Sequence, residues 1–271
     1  LVASRAEAKE AIEAGLVTVD GGPAHKAATQ VLPSTALAVS RPPRRFVSRG
    51  GGKLAHALEV FDVVVEGRRC LDAGISTGGF TDCLLQHGAA HVIGVDVGYG
   101  QVAERVRTDE RVDVRERTNI RDVTRADLAA PVDLVVCDVS FIALQLVLPV
   151  LVDCAAHDAD VVALVKPQFE AGRGDVGSGG VVRDPTVWRR VLDEVVAASE
   201  GLGWPVVDVT ASPLPGPAGN VEFLVHLRRD QRDANAAADV PARLDRAIAE
   251  GVAHAEAAGV TLASTDDETD T

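Results

Sequence analysis

Six short apolar runs punctuate the chain, near residues 68–72, 90–97, 132–138, 159–166, 205–210 and 221–227. Between them, near 79–87, 101–107, 142–152 and 185–201, lie stretches that read as helices. Strands alternating with helices predict an α/β fold, a doubly wound and mostly parallel sheet. Ligands of such sheets bind beyond the carboxyl ends of the strands. The polar residues that end the runs, Asp72, Asp96, Asp138 and Lys166, are therefore predicted to converge on one edge although they lie far apart in sequence.

Upstream of the first run the pattern changes. Residues 4–14 read as a helix with Ser4 as N-cap, Glu7 three residues on and Gly15 at the stop. Residues 16–19 alternate like a strand, Asp20-Gly21 is a hairpin signal, and residues 35–39 complete a unit too small to hold much of a core alone. Residues 53–61 open a short amphipathic helix. Past residue 229 the chain turns acidic and Ala-rich, with one more helix predicted over 240–253 and disorder over 264–271. The expected division is 1–40, a linker over 41–52, a large domain over 53–230 and a C-terminal segment over 231–271.

The composition of these 271 residues narrows the function classes. Aromatics are 3% of the chain, so Val, Ala and Leu must fill the core. No apolar run approaches the roughly 18 residues of a membrane span, no secretory leader is evident, and Leu1 implies that the initiator methionine is absent. Cys70, Cys83, Cys137 and Cys154 are widely spaced without a C-x-x-C pair or clustered histidines. That pattern predicts reduced cysteines in a cytoplasmic protein, with no disulfide and no metal site. The net charge of −13 is unevenly spread: residues 41–53 hold five cations and no acid, whereas the chain from Asp230 onward holds ten acids against three arginines. A basic segment beside the start of the large domain suits a phosphate backbone.

The first βα turn, Leu71-Asp72-Ala73-Gly74-Ile75-Ser76-Thr77-Gly78-Gly79-Phe80, is followed by a second apolar run that ends in Asp96. Glycines let a ligand approach the backbone, and the second acid is placed for ribose hydroxyls. The spacing departs from the dinucleotide fingerprint and has no helix-opening Lys, which favours a nucleoside without phosphates; S-adenosyl-L-methionine is the candidate. Lys53, Asp138, Lys166 and Glu222, two amines and two carboxylates, are predicted to meet beside that pocket.

The ordered motifs Ser48-Arg49-Gly50-Gly51-Gly52-Lys53, the glycine turn, Asp138-Val139-Ser140-Phe141-Ile142, Lys166-Pro167-Gln168-Phe169-Glu170, Ser212-Pro213-Leu214-Pro215-Gly216 and Asn220-Val221-Glu222 resemble the TlyA family. These are bacterial rRNA ribose 2′-O-methyltransferases, also named hemolysin A. The resemblance implies an FtsJ-like, Rossmann-like class I methyltransferase domain after part of a small S4-like RNA-binding domain. It implies rRNA cytidine as substrate and Lys53, Asp138, Lys166 and Glu222 as the catalytic set. Lys166 is expected to touch the hydroxyl, either as a base or through a hydrogen bond alone. A lysine with an ordinary pKa of about 10.4 needs desolvation or a second cation, which Lys53 can provide, to act as a base.

On the same reading, backbone amides over Ser76, Thr77, Gly78 and Gly79 receive the methionine carboxylate, with Gly74 and Phe80 flanking them. Asp96 takes the ribose, Thr118 and Asn119 lie by the adenine, and Asp138 faces the amine. Candidate RNA contacts are Arg5 and Lys26 in the first unit and Arg41, Arg44, Arg45, Phe46 and Arg49 in the basic segment. The glycine-rich residues 172–180 read as a flap. Two other readings compete: a cofactor-binding ribosome-assembly factor without catalysis, and a membrane-active hemolysin.

Overall fold

A computed structural model describes residues 5–40, 45–172, 174–229 and 239–263. The chain divides into two compact units, residues 1–45 and 46–271. In the first, helix α1 (Arg5–Glu13) precedes strands β1 (Val17–Val19), β2 (Gly22–Pro23) and β3 (Leu37–Val39), with β1 antiparallel to both neighbours. Asp20 and Gly21 both take positive φ, 48° and 83°, as the Asp-Gly hairpin signal requires. Ser4, expected as the N-cap, and residues 264–271 fall outside the described residues.

The second unit is built on a seven-stranded sheet. Its strands are β4 (Arg69–Ala73), β5 (His91–Val95), β6 (Val112–Arg115), β7 (Val132–Cys137), β8 (Ala155–Val165), β9 (Val206–Ala211) and β10 (Phe223–Arg228), ordered β6-β5-β4-β7-β8-β10-β9. The pairs from β6 through β8 are parallel, and β10 runs antiparallel to both β8 and β9. Successive residues of the central strands point to opposite faces, and both faces are buried. Leu71, Val135, Val161, Ala163 and Val165 join one apolar cluster, while Leu134, Val136, Val162 and Leu164 join the other.

Helices cover the two faces. On one side α2 (Gly50–Val60) and α3 (Gly79–Gln86) bury Leu54, Leu58, Phe80 and Leu84. On the other lie α5 (Leu148–Cys154), α7 (Pro185–Gly201) and a C-terminal helix, α8 (Val240–Ala257), with Trp188 edge-on to Phe223 at 5.8 Å. Two short helices, α4 (Glu104–Arg107) and α6 (Pro167–Glu170), follow β5 and β8. The helix expected over 142–152 is divided: Leu144–Leu146 is a 3-10 turn, and α5 begins at Leu148 with Pro149 in its first turn, where a missing N–H does no harm.

The stretch 41–52, expected as a linker, is part of the large unit from Phe46 onward. Phe46 is buried at 6% exposure against α2, and that helix starts at Gly50. Gly51 is required there, because a Cβ would overlap the Phe46 ring. Asp82 fastens the same segment by accepting the Val47 N–H at 2.7 Å.

Candidate active site

The glycine turn after β4 forms because three of its residues take positive φ: Gly74 at 92°, Ser76 at 47° and Gly78 at 91°. Gly74 also permits close approach of the chain after β7, since a Cβ would lie 2.5 Å from the Asp138 carbonyl oxygen. Asp96, at the end of β5, braces the turn by accepting Ser76 N–H at 2.8 Å and Gly98 N–H at 2.7 Å. Beside it opens a cavity of about 530 Å³, lined by Gly74 and Ser76, by Asp96 to Gly98, by residues 118–120 and by residues 138–142.

Gly74, Ser76, Asp96, Thr118, Asn119 and Asp138 thus share one cavity. Thr77, Gly78 and Gly79 are not among its lining residues. Gly78 packs on Val106, and Gly79 is needed because a Cβ would overlap Ser48 Oγ. Phe80, expected to flank the cofactor, is core: it is 3% exposed within the α2–α3 cluster. Phe46, expected on RNA, is core for the same reason, since an aromatic ring beside glycines fills the space they leave.

Beneath the turn, Asp72 is fully buried. Its Oδ2 accepts the Thr81 hydroxyl at 2.6 Å and its Oδ1 has no partner. Burial pushes its carboxyl up to about 7; the Thr81 hydrogen bond opposes that rise, and the nearby charges of Asp138 and Asp96 add to it. Asp72 thus lies behind the glycine turn, its charge close to those of Asp138 and Asp96. The cavity itself is lined by Asp96 and Asp138, two acceptors suited to the hydroxyls and the amine of a cationic nucleoside.

Two ion pairs lie at the carboxyl edge of the sheet. Lys166 Nζ lies 2.6 Å from Asp138 Oδ1 and donates to Ser140 Oγ at 2.8 Å. Lys53, one turn into α2, is hydrogen-bonded and ion-paired to Glu222. The antiparallel run of β10 explains why an acid before a strand joins residues that follow strands: Phe223 pairs with Val165, so Glu222 and Lys166 are carried to the same edge. The Lys53–Glu222 pair is nearly sealed, with side chains 8% and 1% exposed. Sealing two charges from water costs several kcal/mol per ion before their attraction is counted, so such a pair is weak evidence for a stability role. Asp138, at 23%, still meets solvent.

Phe141 carries a second unusual feature. It takes φ 65° without being glycine, is 91% exposed at the cavity wall, and lies 5.2 Å from the Phe169 ring. Sequence reasoning assigns it no role, because neither its backbone strain nor its exposure is written in an apolar residue code. Glu170 steadies this loop by accepting the Leu144 N–H at 2.5 Å, and burial pushes its carboxyl up to about 7. Of the expected RNA contacts, Lys26 and Arg45 are exposed, and Arg49 is exposed while donating to the Pro215 carbonyl at 3.1 Å. Arg5 opens α1, its side chain lying outside the described residues, as do Arg41 and Arg44. The glycine-rich 172–180 segment is fastened at its end by Asn220, which accepts Val182 N–H at 2.9 Å and donates to the Gly180 carbonyl at 2.8 Å.

Comparison with known proteins gives a consistent answer. The FtsJ-like methyltransferase profile matches residues 46–229, and the S4 domain profile matches residues 1–37. The 16S/23S rRNA (cytidine-2′-O)-methyltransferase TlyA of Mycobacterium tuberculosis is 54% identical over 252 residues, 93% of this chain and 94% of that protein. The chain belongs to the TlyA family of FtsJ-like methyltransferases. Other TlyA relatives carry a hemolysin name. Hemolysin A of Brachyspira hyodysenteriae is 38% identical over 82% of this chain and 93% of its own length. A solved Streptococcus thermophilus structure with a hemolysin name superposes with a TM-score of 0.75 at 37% identity, covering 94% of this chain and 93% of that one. As a TlyA-family protein the chain is a methyltransferase. Among the described residues no helix is long and apolar enough to cross a membrane, and no cluster of His, Cys, Asp and Glu suits a metal.

Proposed function

We propose that this protein is a cytoplasmic, S-adenosylmethionine-dependent ribose 2′-O-methyltransferase acting on cytidine of rRNA. The observation that carries the reading is the Lys166–Asp138 pair at the wall of a nucleoside-sized cavity, with the buried Lys53–Glu222 pair brought to the same edge. The Mycobacterium tuberculosis relative named for cytidine 2′-O-methylation supports the substrate. The S4 profile over residues 1–37, with exposed Lys26, supports an RNA-gripping role for the first unit, and exposed Arg49 extends it to the start of the second.

Asp96 would hold the cofactor's ribose, residues 118–120 its adenine, and Asp138 its amine, with the buried Asp72 carboxyl behind the turn adding to the field there. The cofactor supplies a methyl group activated by a sulfonium. The protein's own residues need only place a ribose oxygen and remove its proton. Lys166 would hydrogen-bond the ribose hydroxyl and, in its neutral amine form, would accept the hydroxyl proton, with Asp138 orienting it. Alignment of this kind can contribute about 7–11 kcal/mol, and a positioned acid–base group roughly 10²–10⁴-fold. Lys53 and Glu222 fix the neighbourhood in which Lys166 works.

The test is incubation of the purified protein with ribosomal subunits and labelled cofactor, followed by mapping of ribose methylation. The expected result is label on the 2′-oxygen of one or two cytidines. Label on a base, or cofactor binding without transfer, overturns the reading. Phe141 offers a ring to the substrate base. Phe141→Ala is expected to lower kcat/KM for the RNA about tenfold, more than it lowers cofactor affinity, because stacking on an aromatic is worth about 1–3 kcal/mol per base. Steady-state kinetics beside cofactor titration check this.

A further inference from the structure

Helix α8 touches the catalytic edge by two routes. At the sheet's open side, β9 is an edge strand, and α8 satisfies its outward backbone: Arg246 donates to the Val209 carbonyl at 3.2 Å, and Glu250 accepts the Ala211 N–H at 3.1 Å. Glu250 also accepts the Thr210 hydroxyl at 3.0 Å. Thr210 is buried and lies 3.2 Å, Oγ1 to Nε2, from His56. With the hydroxyl proton directed to Glu250, His56 is the donor in that contact. His56 sits three residues after Lys53 on α2, hence on the same helix face.

The second route is steric. Gly251 lies in the middle of α8, where glycine weakens a helix by roughly 1 kcal/mol relative to alanine. The close packing accounts for it: a Cβ there would lie 2.9 Å from Val221 Cγ1 and 3.3 Å from the Phe223 ring. Val221 and Phe223 flank Glu222. One route therefore reaches the helix that carries Lys53, and the other reaches the residues on both sides of its partner.

We infer that α8 is a positioning element for methyl transfer, setting the Lys53–Glu222 pair through Glu250–Thr210–His56 on one side and Gly251–Val221 on the other. This rests on the methyl-transfer reading above, so the wild-type protein is run in the same assay: absence of transfer by the wild type defeats that reading, whereas the comparisons below bear on α8 alone.

The experiment is single-turnover methylation of ribosomal subunits by the full chain carrying Gly251→Ala, beside equilibrium binding of S-adenosylhomocysteine. Alanine improves the helix, so an unfolded helix is not the expected cause of any loss. Transfer is expected to fall about tenfold or more, since a displacement near 1 Å can cost up to about 10²-fold, with ligand affinity within about twofold of wild type. Adding Val221→Ala removes the methyl that the new Cβ meets and is expected to restore most of the rate. Transfer by Gly251→Ala at the wild-type rate, or a loss that Val221→Ala leaves unchanged, overturns the inference. Thr210→Val tests the other route without steric change: single-turnover transfer is expected to fall severalfold with S-adenosylhomocysteine affinity unchanged, and transfer at the wild-type rate counts against that route.

Discussion

Replacing Lys166 with methionine is expected to lower single-turnover methyl transfer about 10³-fold, inside the 10²–10⁴ range of a positioned acid–base group, while the protein stays folded and binds cofactor. The fold survives because the partner left behind, Asp138, is 23% exposed and can be solvated. Lys53→Met is expected to behave differently. It strands Glu222, 1% exposed, and removing one partner of a buried pair costs about 3–5 kcal/mol. The two lysines are thus separable by measuring both rate and denaturation midpoint. A Lys166→Met protein that transfers at the wild-type rate would remove Lys166 from the chemistry altogether.

That contrast depends on burial, which the sequence indicates only in part. Asp72, Asp96, Asp138 and Lys166 can be placed together because each ends an apolar run, and parallel strands deliver their carboxyl ends to one edge. Glu222 precedes its strand and reaches the same edge because β10 is reversed; no run end marks it, and its place in the set comes from the family motif Asn220-Val221-Glu222. Phe46 shows the opposite case, while the sequence leaves Phe80 open to both a core and a cofactor reading, core being the commoner. A basic neighbourhood and a glycine turn make them look like ligand contacts, yet a large ring beside glycines also fills a core, and packing decides the matter. Gly251 is invisible for a similar reason: within an Ala-rich stretch a small residue has no sequence signature until the sheet beneath it is known.

Asp72→Asn is expected to make the cofactor-free protein more stable and the cofactor bind more weakly. The folded protein holds this carboxyl at about 7 against an ordinary 3.8, so the native state favours its protonated form. For an acid raised in this way, the contribution to stability is most favourable below the unfolded value and is lost as pH rises from about 4 through 7. At pH 8 the wild type carries the full penalty of a buried anion, roughly 4 kcal/mol at about 1.36 kcal/mol per pKa unit. The asparagine carries none of it and can still accept the Thr81 hydroxyl. Denaturant midpoints should therefore differ most at pH 8, with the variant higher, and converge as pH falls toward 4. Cofactor titration should show the reverse preference, an affinity lower by about tenfold, because the anion that destabilises the empty site attracts a cationic ligand. A variant less stable than wild type at pH 8 would mean that the orphaned Oδ1 is already compensated, and the electrostatic argument for a cationic nucleoside in this cavity would lose its foundation.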